Sequence, residues 1–207
     1  MPHRTRTFEP TPWFSSTFDT VKVAAHVEHG DLYKLTQHGP ISRVAYRKGQ
    51  YEVRGRFGTP ATISSGRGRH VLFIEASIPK FLTGQNVVGT EKLERGAVEL
   101  IDEVLSRAAI EATPEERRRF RSGDFELVRV DYANHLWTGS ADRADAFMHA
   151  LRRRTAAKTW QFSQYWKESL YWGMHSKRWS LKAYRKDLEL ATRRGDMSSI
   201  VRGRKAL

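Results

Sequence analysis

In the segment WSLKAYRK, Trp179 to Lys186, Lys182, Tyr184 and Lys186 recur at every second position. On an extended strand they share one face while Leu181 and Ala183 share the other, which sets a phenol among cations over an apolar underside. A free phenol has a pKa of about 10 and is a weak nucleophile at neutral pH, but nearby positive charge favours its ionised form. Such a group can attack phosphorus and hold the phosphate covalently, conserving the energy of the bond it breaks. The same residues also describe an ordinary sheet-surface tyrosine beside solvated lysines, and their spacing leaves both readings open.

Glu75 falls on the same side of the apolar segment HVLFIEAS, His70 to Ser77, as Val71 and Phe73. A carboxylate there requires a partner, for which Arg129 and Lys182 are candidates. His26 and Glu28 share a strand face, where they could bind an ion or stand as two isolated surface side chains. Two basic segments can grip phosphates: HSKRW, through Lys177 and Arg178, and SSGRGR, through Arg67 and Arg69. Lys182 and Arg185 add further cations near the tyrosine, and Trp172 or Trp179 can stack on an unpaired base or belong to a core.

The elements that must carry these groups are marked by periodicity. TFDTVKVAAHVE, 17 to 28, alternates as a strand, and the run from Arg43 to Arg56 forms two alternating segments around Lys48-Gly49-Gln50, a hairpin. Ser64 to Arg69 is expected to be a flexible loop, and His70 to Ser77 a strand. Glu91 to Ala109 keeps helical spacing through Leu93, Ala97, Val98, Ile101, Val104, Leu105 and Ala108. TPEERRRFRSGD is expected to be a solvated connector, followed by a long strand from Asp124 to Trp137. Ser140 caps a second helix whose stripe is Ala144, Phe147, Met148 and Leu151. ESLYWG and WSLKAYRK form a terminal hairpin, and DLELATRRGD a short helix. The expected fold class is α+β, with helices covering one face of a largely antiparallel sheet.

Thirty-six Lys and Arg against 23 Asp and Glu give a net charge of +13, dispersed from Arg4 to Lys205. That distribution points to a polyanionic partner, nucleic acid first. Cysteine is absent, which excludes disulfide frameworks and thiolate zinc sites. No apolar run approaches the ~20 residues of a membrane span, and the polar N-terminus lacks the apolar stretch of a signal peptide. The expected setting is the cytoplasm, with no membrane partner.

Four segments, in order, resemble the replication-associated initiators of filamentous phages. IEASIPKFLTGQNVVG, Ile74 to Gly89, is similar to that family's strand, acidic residue, Pro-Lys turn and Gly-x-Asn-Val-x-Gly signature. VRVDYANHL, Val128 to Leu136, resembles its Arg-x-Asp strand, and SLYWGMHSKRWSLKAYRKDLEL, Ser169 to Leu190, its Trp strand, basic turn and Tyr-x-Lys-x-x-Glu-Leu ending. FDTVKV, from Phe18 to Val23, is a weaker match.

The resemblance implies a sheet of the replication-initiator and relaxase type, with a flexible arm at 1–16, a nicking domain at 17–195 and a basic tail at 196–207. It makes Tyr184 the nucleophile, with Lys186 beside it, forming a 5′-phosphotyrosine at an origin that is single-stranded at the nick and otherwise duplex. A host helicase and polymerase would be the protein partners. The wider superfamily holds Mg²⁺ or Mn²⁺ with a His-hydrophobic-His pair, which this sequence lacks. Glu75, Asp131 and His135 are the replacement candidates. Asp131 and His135 stand about 13 Å apart along a strand at ~3.3 Å per residue, so Glu75 with Asp131 is preferred. The competing readings are a relaxase or transposase of the same chemistry, and a non-catalytic DNA-binding or autoregulatory protein of the same fold.

Overall fold

Alternation of apolar and polar residues builds the larger sheet. A computed structural model describes residues 13–39, 41–44, 47–85, 90–156, 162–164, 169–173, 176 and 178–188. Strands β1 (Trp13–Ala25), β2 (Ile41–Arg43), β3 (Gln50–Arg54), β4 (Pro60–Gly66), β5 (Val71–Ser77) and β6 (Glu126–Trp137) form one sheet in the order β2-β3-β4-β5-β1-β6. The β2–β3, β3–β4, β4–β5 and β1–β5 pairs are antiparallel. Val21 and Val23, Val53, Ala61 and Ile63, and Leu72 and Ile74 turn to one face and are fully buried. Their neighbours Lys22, Glu52, Thr62 and Glu75 lie in cross-strand register on the other face.

Helices close the apolar face. α1 (Leu32–His38), α2 (Ile78–Thr83), α3 (Leu93–Arg107) and α4 (Pro114–Arg121) contribute Leu32, Ile78, Phe81, Leu100, Ile101, Val104, Leu105 and Phe120 to the same core. Gly96 lets α3 approach closely, since a Cβ there would stand 3.0 Å from Thr90 Cγ2 and 3.2 Å from Ile78 Cγ2. The α+β architecture is as expected.

Three local expectations are corrected. The segment TPEERRRFRSGD contains α4, started by a capping box in which the Thr113 hydroxyl accepts from the Glu116 N–H and the Glu116 carboxylate accepts from the Thr113 N–H. Phe120 anchors this otherwise charged helix in the core. Ser64 to Gly66 end β4, and only Arg67–Arg69 form a turn, a short 3₁₀ segment with Gly68 at φ +67°. Phe147 is exposed on α5 (Ala141–Ala156), while Met148 and Leu151 pack inward; Ser140 does cap this helix through the Arg143 N–H. The stripe is narrower because the sheet it packs on is small.

That smaller sheet is antiparallel: β7 (Phe162–Gln164), β8 (Ser169–Trp172) and β9 (Leu181–Tyr184). The chain forms two compact units, Ser15–His135 and a second made of Met1–Phe14 with Leu136–Leu207. The first holds the large sheet and α1–α4, and the second holds α5 and β7–β9 around Met148, Leu170 and Trp172. Residues 1–12 of the expected arm, the 196–207 tail and the expected helix beyond Leu188 lie outside the described residues.

Candidate functional site

The tyrosine group belongs to the second unit. Antiparallel pairing sets Tyr184 opposite Ser169, Ala183 opposite Leu170 and Lys182 opposite Tyr171. Lys182 and Tyr184 therefore share a face, and Ala183 packs beneath against the Met148, Leu170 and Trp172 cluster. Leu181, expected to be buried with Ala183, is exposed at the strand's start. Tyr184 is 37 % exposed, so its phenol is reachable from solvent. Lys186 Nζ donates to Tyr184 Oη at 3.5 Å, and Lys182 Nζ sits 4.4 Å from the ring centroid. An ammonium at the oxygen and another over the ring both stabilise developing phenolate charge.

Arg185, expected as a DNA contact, is instead an internal anchor. Its side chain is buried and donates to Asp187 through Nε at 2.8 Å and Nη2 at 2.5 Å, and to Asp145 of α5 through Nη1. Arg185 directly follows the last residue of β9 and turns inward, whereas Tyr184 stays exposed. Its hydrogen bonds to Asp187, then to Asp145, raise the guanidinium pKa against its desolvation, and the same contact lowers that of Asp187. The buried guanidinium, held by two more exposed carboxylates, fastens the end of β9 to α5 and so fixes the backbone of the residue before it. The only signal for this in the sequence was an Asp two positions after the Arg.

In the first unit, Glu75 and Asp131 converge on one group. Arg129 Nη1 donates to Glu75 Oε1 at 3.0 Å, while Nε and Nη2 fork onto Asp131 at 2.9 and 2.7 Å. The Asp131 hydrogen bond raises the Arg129 pKa against the cost of its partial burial, and Coulombic attraction from Asp131 and Glu75 adds to it. The sequence-level pairing of Glu75 with Arg129 is realised; His135 does not join the group, since among the described residues no three His, Asp or Glu side chains gather around one point. The donor set still suits a hard dication: Mg²⁺ keeps most of its waters and takes one or two carboxylates plus substrate phosphate. Two carboxylates already surround a positive charge here, so the residues fit the ion in chemistry, with Arg129 as the present occupant.

The other expected residues are dispersed. Arg69 is exposed in the turn between β4 and β5, paired to Asp31 at 3.4 Å. Arg178 lies exposed after β8, where its N–H donates to Ser176 Oγ. The side chain of Arg67, and Lys177 altogether, lie outside the described residues. His26 and Glu28 are exposed beyond β1, and the Glu28 backbone N–H donates to Glu116. No described helix is long and apolar enough to cross a membrane.

Comparison with known proteins identifies the family. Residues 22–204 match the family model described as replication-associated protein G2P, N-terminal. The replication-associated protein G2P of Enterobacteria phage I2-2 is 29 % identical over 140 residues, covering 65 % of this chain and 40 % of that protein. The match thus spans well under half the relative's length. Because the family model covers both the Glu75 to Asp131 region and the tyrosine strand, the chain belongs to the replication-associated protein family of filamentous phages, the gene II type.

Proposed function

We propose that this chain initiates rolling-circle replication of phage DNA by nicking and later rejoining one strand of the origin. The observation that carries the reading is the Lys186 ammonium at 3.5 Å from the Tyr184 phenol oxygen, on an exposed face that Lys182 also covers. Lys186 stabilises the phenolate as its proton departs to solvent. The phenolate oxygen attacks the scissile phosphorus, an O–P bond forms to Tyr184, and the bond to the 3′ oxygen breaks. That oxygen takes up a proton and becomes a free 3′ hydroxyl for a polymerase. The number of phosphodiester bonds is unchanged, so a later attack by a 3′ hydroxyl on the phosphotyrosine reseals the strand.

Glu75 and Asp131 would hold Mg²⁺ or Mn²⁺, which when bound supplies positive charge to a phosphate oxygen. Arg129 releases the two carboxylates for that purpose. Arg69, Arg67, Lys177, Arg178 and Lys182 are the proposed contacts to DNA phosphates, and host helicase and polymerase the proposed partners after nicking. Arg185 is left out because its Nε, Nη1 and Nη2 all donate to Asp145 and Asp187.

Incubation with single-stranded origin oligonucleotide and Mn²⁺, followed by a denaturing gel, tests the reading. A protein band shifted by the mass of the fragment downstream of the nick, held through its 5′ phosphate, is expected, and Tyr184→Phe should lose it while keeping DNA affinity. A non-catalytic DNA-binding protein of the same fold would give no shifted band in either form.

A further inference from the structure

The sheet of the first unit has one end where cations from two separate connections, β2 to β3 and β4 to β5, meet. Arg43 closes β2 and pairs with Tyr51 near the start of β3. The connection between them folds back, with the Val44 N–H donating to Gln50 O at 3.1 Å and the Gln50 N–H to Arg47 O at 3.2 Å. Gln50 pairs with Ser64 near the end of β4, and Gly66 pairs with Val71 at the start of β5. Arg43, Arg47, Lys48 and Arg69 are thereby brought to the same end, and all four are exposed.

The turn that carries Arg69 is held in an unfavourable conformation. Arg69 has φ +73°, directly after Gly68 at +67°, and a non-glycine residue there is strained. The His29 backbone N–H donates to Arg69 O at 3.1 Å, and Asp31 pairs with the guanidinium at 3.4 Å. His29 is itself buried, with Nδ1 2.9 Å from Gly30 O and Nε2 3.4 Å from Ser65 Oγ. Strain maintained by a buried bolt is the pattern of ligand clamps. Arg43 is likewise oriented, its guanidinium 5.7 Å from the centre of the Tyr33 ring.

We infer that this end of the sheet, with Arg43, Arg47, Lys48 and Arg69, is a docking surface for the phosphate backbone of duplex DNA. The inference rests on the DNA-processing reading and assigns the duplex to a surface that the tyrosine strand does not supply. The width favours a duplex. From β2 to β5 there are three interstrand steps of ~4.8 Å, about 14 Å in all, close to the ~12 Å major groove whose two edges both carry phosphates. A single strand offers one narrow line of charge. The contacts are to phosphates, so binding is independent of sequence.

The test measures affinity for a short duplex of arbitrary sequence as a function of salt, without any nicking step. The variant combines Arg43→Gln, Arg47→Gln, Lys48→Gln and Arg69→Asn, the last chosen because asparagine tolerates positive φ. The control, Lys92→Gln with Arg95→Gln, Arg118→Gln and Arg121→Gln, removes the same net charge from exposed positions on and beside α3 and α4. Each lost phosphate contact lowers the slope of log affinity against log salt by about 0.9, so a fall of roughly 3 to 4 is expected for the variant and little for the control. If the fourfold variant melts early, the Arg43, Arg47 and Lys48 triple leaves the pinned turn intact and should lose about 3. Equal losses in variant and control, an unchanged slope, or a greater loss on a single-stranded oligonucleotide than on the duplex would each overturn the assignment. The nicking reading stands or falls separately, on the covalent adduct of the wild-type protein.

Discussion

Arg129 and Asp131, two residues apart on β6, are joined by a two-point fork, and the remaining Arg129 nitrogen reaches Glu75 on β5. A guanidinium thus stands where a divalent cation bound by the two carboxylates would compete with it. Arg129→Met should tighten Mn²⁺ binding, measured calorimetrically without DNA, by about tenfold, the scale of one unit charge removed from a partly solvated site. Glu75→Gln and Asp131→Asn should weaken it. Looser binding in Arg129→Met would mean that the guanidinium organises the carboxylates and does not compete for them.

Arg185 predicts a stability effect beside the nucleophile. Arg185→Met removes three hydrogen bonds, but Asp145 and Asp187 remain partly solvated, so the expected loss is roughly 1–3 kcal/mol in denaturant unfolding of the second unit. Asp187 has a lowered pKa, so its contribution is complete above the unfolded carboxylate value of about 3.9 and is lost as pH falls through the lower folded value. The variant should show a flatter acid limb than the wild type, and an unaltered limb would dissociate Arg185 from that titration.

Glu116 gives a second acid-sensitive point. Burial opposes its charge, but hydrogen bonds from the Thr113 and Glu28 backbone N–H groups and the Thr113 hydroxyl prevail and lower its pKa. Stability from this carboxylate is present above about pH 4.3 and lost below, as the folded pKa is crossed. Thr113→Ala should cost about 1 kcal/mol by removing the cap, and chemical denaturation measures it directly.

Gly84 closes α2 at φ +79°, with its N–H donating to Lys80 O at 3.0 Å. A Cβ there would meet Phe57 Cγ at 2.7 Å. Gly84→Ala should destabilise by about 1–2 kcal/mol through the left-handed backbone, with additional cost if Phe57 cannot move; thermal melting checks it.

β1, β3, β5, β6, β8, β9 and α3 were legible because their apolar residues repeat at the period of the element they form. α4 was not, since its apolar content reduces to Phe120 among arginines and glutamates, although Thr113 and Glu116 spelled out a capping box. β4 was hidden by a proline start and a Ser-Ser-Gly end. Tyr184 and Lys186 were legible as near neighbours, but not as one strand face: β9 ends at Tyr184 and Lys186 opens the helical turn that follows, so their contact is made past the end of the strand. The role of Arg185 was illegible because its partner Asp145 lies 40 positions away, and burial is decided by packing. Glu75 and Arg129, 54 positions apart, were paired in advance only because an acid on an apolar strand demands a cation.

The central claim concerns one atom, the phenol oxygen of Tyr184. Peptide mapping by mass spectrometry, after reaction with single-stranded origin DNA and nuclease trimming, should find a nucleotide attached to the peptide containing Tyr184 and nowhere else. A nucleotide on another residue, or DNA cleaved with no protein-bound nucleotide, would contradict the account.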